Sequence, residues 1–379
     1  MAGSVLFWSY LLSTIVTPLM GYVYDIVGRF WFMIPSCYIL SLQLGIIPYS
    51  APHFWLLCLF RSVMSCLCNV ISVNPLIIDY VKSESRGLVM SFATLGLILG
   101  ELTMVVMFSA TRGMNMHGMY WVPAAAVAAL STVLIFLVRE PKIKQQPITP
   151  RAGQTIEEAN SDITFWERFR SLTKEAWHEC KTKPKYIFCF ICLMVSRLMS
   201  VLFSVYLQLW VMSFEKSGVL SSKEESDAIY MRVVSGALIA ILIVAPIFGF
   251  MSDKSDPRVI VPASFLIRGL VSVSFGFIND PRDWHAYALC ILMIVVSIIQ
   301  FICVEVLFMR HMKSHIRGTL SGIAFFFGSI GTTTFALVGG IIFDKIGPAA
   351  PFLLVGSADM AVLMIAMAFI MLGAIKRSD

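Results

Sequence analysis

Charge is scarce in this sequence: Asp, Glu, Lys and Arg together make only 14% of its 379 residues, against 58% hydrophobic side chains and a mean hydropathy of +0.81. A soluble globule of this length carries roughly a quarter of its residues charged, so that class is excluded. No secretory leader is expected here, because Met1 runs straight into an apolar stretch with no early Lys or Arg, and residues 3–23 read as structure. No Gly-rich phosphate loop of the Walker type occurs, and the six histidines have no ligand spacing. No Asn-x-Ser/Thr sequon marks an external loop. Of the nine cysteines, all but Cys180 fall in apolar runs, where a thiol is a small buried group and not part of a disulfide framework. Cys66-x-Cys68 and Cys189-x-x-Cys192 lack a convergent His or acid, which favours packing over metal binding. No catalytic constellation, cofactor or metal is therefore expected.

What the sequence does have is long apolar runs. They recur near 3–23, 31–50, 54–79, 88–108, 118–138, 186–213, 229–251, 259–278, 285–309, 319–342 and 350–374, each close to the roughly 20 residues that cross a bilayer as a helix. Continuous runs of this length predict an all-α membrane protein with eleven spans, and not a barrel of short alternating strands. Trp121, Trp210 and Trp284 fall at run ends, as an interfacial aromatic belt does. Alternate connections hold 20 of the 29 Lys and Arg residues on one side and 6 on the other. The positive-inside rule then places the C-terminus in the cytoplasm. The formal charge of +6 is a topology signal and gives no support to nucleic-acid binding. Which membrane is occupied, plasma membrane or endomembrane, does not follow.

One connection stands apart. From Arg139 to Lys185 the chain is polar and too long for a turn, which divides it into an N-terminal bundle (1–138), a linker (139–185) and a C-terminal bundle (186–379). Within the linker, Thr164 and Glu167 are spaced as a capping box, followed by Phe165, Phe169, Leu172 and Ala176 at helical spacing. This predicts an amphipathic helix along the cytoplasmic membrane surface with its aromatics in the interface.

The two halves repeat. Pro18-x-x-Gly21-x-x-x-Asp25 matches Pro246-x-x-Gly249-x-x-x-Asp253 at an offset of 228, and Arg86-Gly87 with Gly100 matches Arg317-Gly318 with Gly331 at an offset of 231. Parallel repeats joined by a long loop are an architecture of secondary transporters, with the solute site near mid-membrane. Glycines let helices approach closely, while Asp25 and Arg29 at the helix ends are placed to pair across a short loop. The expected conformational latch comprises Gly21, Asp25, Gly28 and Arg29 with their counterparts Gly249, Asp253 and Arg258. Asp79, after a break at Asn74-Pro75, is a further partner.

Gly21-x-x-x-Asp25-x-x-Gly28-Arg29 resembles the signature loop of the major facilitator superfamily, with Phe30 where a further basic residue is usual. Arg61, Arg86-Gly87 and Gly339–Gly347 also fit that superfamily's pattern. The signatures of its drug antiporters and sugar porters are missing, since Gly100 precedes Glu101 and Arg139-Glu140-Pro141 follows the fifth span. The resemblance implies twelve helices with both ends cytoplasmic and the signature loop after the second. Here it follows the first span, so the expectation is eleven of twelve helices, with the first absent before Met1 and residues 3–23 acting as the second. It further implies that the fourth, seventh and tenth helices line a cavity.

Charged groups within spans are expensive and functional by default. Arg61, Glu101, Arg197 and Glu305 are the charged substrate or proton candidates, with Asn69, Asn74, Gln208 and Gln300 as polar ones and Tyr206 as a further polar group. Arg268 and Asp359 lie at similar depth on helices that the resemblance makes peripheral, which predicts a structural ion pair. The expected function is secondary active transport of a small organic solute by alternating access in a monomer, its partners being the solute, protons and the bilayer. Proton coupling is favoured because a carboxylate in a low-dielectric cavity can exchange protons near neutral pH. The alternatives are a facilitative uniporter and a non-transporting receptor or scaffold.

Overall fold

The computed structural model describes residues 2–27, 29–70, 77, 80–111, 113–137, 165–278, 280–312, 316–371 and 373, without the side chains of residues 2–6, 20–30, 69–70 and a few others. Among these residues the regular structure is helical throughout. In chain order the helices are α1 (Ala2–Val27), α2 (Arg29–Ile46), α3 (Phe54–Val70), α4 (Arg86–Ala110), α5 (Met116–Leu137), α6 (Phe165–Thr182), α7 (Pro184–Ser196), α8 (Leu207–Lys216), α9 (Lys223–Lys254), α10 (Pro257–Ser274), α11 (Trp284–His311), α12 (Arg317–Lys345) and α13 (Ala350–Met371). Lipid offers no hydrogen bonds, so apolar segments must satisfy their own backbone, and helices are the solution these runs adopt. Nine segments among the described residues are long and apolar enough to cross a membrane; two shorter apolar stretches are Phe7–Leu19 and Phe54–Cys68. The fold is an all-α helical membrane bundle.

The packing follows the sequence repeat. The most extensive helix contact joins α1 to α12, and another large one joins α4 to α9. Offsets of 228 and 231 carry α1 onto α9 and α4 onto α12, so each of these two contacts is the repeat image of the other. Both run between the first and second halves of the chain. Burial concentrates in the second half: 78% of the apolar window of α11 is buried, against 17% for α5. Helix α11 is therefore the enclosed axis of that half, and its polar residues meet protein and not lipid.

Helix α6 packs one side against the bundle. Ala176 is fully buried and Leu172 half-buried against the main core, while Trp177 is exposed. The small side of the helix is thus turned onto the bundle, contacting α7 and α12. Phe165 and Phe169, the aromatics expected at the interface, have side chains outside the described residues. Burial, with Glu179 alongside, pushes the Cys180 thiol up to about 11, consistent with this docking.

Candidate functional site

The chain places its membrane-buried charge in two clusters and joins its halves through a third. The first cluster forms where α7 ends. Arg197 is the C-cap of α7, its N–H bonded to Leu193 O. The chain continues through Met199–Val201 and a π-helical turn, Leu202–Tyr206, before α8. Such wide turns recur at functional positions within helices. Arg197 Nη2 donates to Glu305 Oε1 at 2.5 Å. The Arg197 guanidinium carbon lies 4.9 Å from the Phe301 ring centre and 4.8 Å from that of Phe325, within cation–π range. Phe301 and Glu305 stand four residues apart on α11 and so share a face. The two partners differ in access: the Arg197 side chain is 27% exposed and Glu305 only 1%.

In the second cluster Arg268 donates through Nε to Asp359 Oδ2 at 2.7 Å and through Nη2 to Asp359 Oδ1 at 2.5 Å. Arg268 Nη2 also reaches Val195 O at 3.2 Å, and Gln300 Nε2 donates to Asp359 Oδ1 at 3.3 Å. All three side chains are essentially fully buried. Gln300, expected among the solute or proton groups, therefore belongs to this buried ion pair. The reason is helical phase: five residues separate it from Glu305, so α11 turns one toward Asp359 on α13 and the other toward Arg197.

The third cluster lies at the ends of α4, α9 and α11. Asp253, in the last turn of α9, accepts from Gly87 N at 2.7 Å and from Leu88 N at 2.9 Å. Those N–H groups are in the first turn of α4, where no intrahelical acceptor exists and the helix dipole favours a carboxylate. The pairing expected of this motif, aspartate to arginine within one loop, does not occur in the second copy: no ion pair joins Asp253 and Arg258 among the described residues. A helix N-terminus offers the carboxylate two preoriented donors instead. Around this cap, Arg86 Nη1 donates to Met309 O at 2.9 Å. Arg310 Nη2 donates to Ser252 O at 2.7 Å and Asp253 O at 2.8 Å. Each arginine thereby meets the carbonyl end of a neighbouring helix. Gly249 makes the approach possible, since a Cβ there would stand 2.7 Å from Gly87 O.

Other expected residues are not brought into these clusters. Arg61 on α3 is exposed and lies within electrostatic reach of Tyr10. Glu101 on α4 is exposed and Gln208 on α8 half-buried; neither makes a hydrogen bond or ion pair with a described residue. Tyr206 is buried and donates to Ala336 O at 2.9 Å. The side chains of Gly21, Asp25, Gly28, Arg29, Asn69, Asn74 and Asp79 lie outside the described residues. Sequence reasoning missed Phe301, Phe325 and Arg310; the pairing of Arg86-Gly87 with the repeat was the one available pointer to the α4 end.

The profile of the Major Facilitator Superfamily matches residues 1–336. The chain is 25% identical over 195 residues to the magnetosome protein MamZ of Paramagnetospirillum magneticum, a match covering 51% of this chain and 30% of that protein. It is 22% identical over 190 residues to MamH of the same organism, covering 50% and 44%. The matched stretch spans less than half the length of either relative. Among solved structures, the human organic anion transporter MFSD10 superposes with a TM-score of 0.68 at 14% identity, over 96% of this chain and 83% of that one. The proton:xylose symporter XylE gives 0.64 at 14% identity, over 97% and 85%. The shared architecture is that of membrane solute transporters, and the chain belongs to the Major Facilitator Superfamily.

Proposed function

We propose that the protein is a secondary active transporter that moves a small organic solute by alternating access. The observation that carries this reading is the Asp253 cap on Gly87 and Leu88, a bond between the two halves made only when their basic ends are together. By the positive-inside rule those ends, and the C-terminus, are cytoplasmic. The cap then latches a state closed to the cytoplasm, while Arg197 stays accessible within the membrane. The chain acts as a monomer in the plasma membrane or an endomembrane, divided at 1–138, 139–185 and 186–379, with no enzymatic role and no nucleic-acid partner. Asp25, in the first copy of the motif, is assigned the same latch role.

The transport is proton-coupled in this reading, because Glu305 can exchange its arginine partner for a proton. A uniporter would use the same pair only to hold solute, and uptake insensitive to pH and to a protonophore would establish that instead.

Asp253→Asn tests the latch. Losing a carboxylate at a helix N-terminus removes about 1 kcal/mol from the closed state, so the equilibrium between states shifts while the site itself is untouched. In proteoliposomes, with a solute identified by a metabolite-library thermal shift, turnover should fall with affinity and expression maintained. Unchanged turnover would overturn the latch, and solute binding with no flux in wild type would point to a receptor.

A further inference from the structure

We infer that the solute is an organic anion bearing a carboxylate, and that Arg197 binds it by exchanging the Glu305 carboxylate for that of the solute; this rests on the transport reading above. Arg197 presents a planar fork of five N–H donors, of which Nη2 alone is bonded to a described residue. Nη2 spends an N–H on Glu305, and no described residue accepts from Nε or Nη1. Nη2 belongs to both two-donor edges of the guanidinium, so once Glu305 is displaced the Nη1/Nη2 edge fits a planar carboxylate, two N–H groups to two oxygens.

Unequal burial sets the direction of exchange. Glu305 is enclosed on α11, whereas the arginine is more than a quarter exposed, so an incoming group meets the guanidinium first. The surroundings also select the rest of the molecule. Phe301 and Phe325 lie against the guanidinium, and no acidic side chain other than Glu305 pairs with Arg197 among the described residues. An apolar body attached to a carboxylate is met by phenyl rings, while an organic cation would be repelled by Arg197. Gly328 completes the shape. A Cβ at that position would stand 3.0 Å from Arg197 Cγ, so the glycine leaves the arginine stem room to lie along α12 with its head toward the open side.

An internal carboxylate that competes with the solute gives the proposal its signature. Glu305→Gln removes the competitor and keeps the volume, so an acid should bind several-fold tighter. Arg197→Gln removes the receptor for the anion and should abolish binding. Arg197→Lys keeps the charge, loses the fork, and should weaken binding without abolishing it.

The purified full-length protein is titrated with benzoate, phenylacetate and butyrate, each beside its amide, and the rise in Tm is followed for wild type and the three variants. At least one acid is expected to stabilise wild type where its amide does not. That effect should vanish in Arg197→Gln and grow in Glu305→Gln. Stabilisation by no acid, equal stabilisation of Arg197→Gln, or weaker binding to Glu305→Gln each overturns the proposal. Flux of radiolabelled acid into proteoliposomes separates this inference from the reading beneath it. An acid bound at Arg197 but never transported keeps the anion site and overturns transport; saturable flux of a neutral solute, with no acid bound, does the reverse.

Discussion

Arg268 holds Asp359 by two parallel hydrogen bonds, Nε to Oδ2 and Nη2 to Oδ1, with both side chains out of reach of solvent. The pair joins α10 to α13 and, through Arg268 Nη2 on Val195 O, reaches the last turn of α7 two residues before Arg197. Its position away from the accessible guanidinium makes it a brace for the helix that carries the site. Removing one partner of a buried pair strands the other charge and costs about 3–5 kcal/mol. Arg268→Leu and Asp359→Leu should each lower thermal stability by that order, and the double substitution should recover much of the loss. A double mutant no more stable than the sum of the singles would show that the two side chains do not act as a pair.

Helix α6 offers a second test, because its docking rests on a residue with no room to grow. Ala176 is fully buried, and Ala176→Arg should force the helix off the bundle. Cys180, one turn on, reports the event. Its thiol, held at about 11 by burial, is almost wholly protonated at neutral pH and so a poor nucleophile. Exposure in the variant brings the thiol back toward its ordinary range, and maleimide labelling of Cys180, read by peptide mass spectrometry, should accelerate at pH 7 to 8. Equal labelling rates in the two proteins would place α6 elsewhere.

Tyr206 anchors the wide turn after Arg197. Its hydroxyl donates to Ala336 O at 2.9 Å, and a Cβ on Gly339 would fall 2.7 Å from the Tyr206 hydroxyl oxygen. Tyr206→Phe removes one hydrogen bond and leaves a carbonyl already bonded within α12, so the expected loss is about 1 kcal/mol. Gly339→Ala should cost more, since it pushes the ring from its seat. Melting temperatures in one detergent decide both, and a neutral Gly339→Ala would contradict the close approach.

Much of this architecture was legible because the bilayer simplifies the reading. Apolar runs of span length become helices with few competing outcomes, and the repeated Pro-x-x-Gly-x-x-x-Asp pattern pointed to equivalent contacts between halves. Arg268 and Asp359 were paired by depth alone, since lipid penalises either one unpaired. Partners inside the solute region were harder to read. Arg197 and Glu305 are 108 residues apart, and no local pattern sets their relative rotation. The contact of Gln300 with Asp359 was hidden for the same reason: five positions along a helix nearly reverse the face, and only packing reveals which face is which. The Asp253 acceptor role was hidden because its donors are backbone N–H groups, which a side-chain motif does not display. For α6, periodicity gave the helix and its apolar stripe but not whether lipid or protein would cover that stripe.

The last prediction concerns a close backbone approach between the halves. Gly249 and Gly87 pack carbonyl to α-carbon: a Cβ on Gly87 would stand 2.5 Å from Gly249 O, and one on Gly249 would stand 2.6 Å from Ser91 Cβ. Neither obstacle is the flexible end of a side chain, so Gly249→Leu must separate α4 from α9, and the Asp253 bonds to Gly87 and Leu88 lengthen with it. Because both Gly249→Leu and Asp253→Asn act on the same closure, their effects on the population of the closed state should be less than additive. Spin labels at Ser85 and Ser255, on the two sides of this contact, report it directly by double electron–electron resonance. Wild type should give a short, narrow distance distribution, Asp253→Asn a mixture of short and long, and Gly249→Leu mainly the long component, with the double variant indistinguishable from Gly249→Leu. A short, unbroadened distance in Gly249→Leu would mean that the glycine contact does not control closure, and the latch would then have to reside in Arg86 and Arg310 alone.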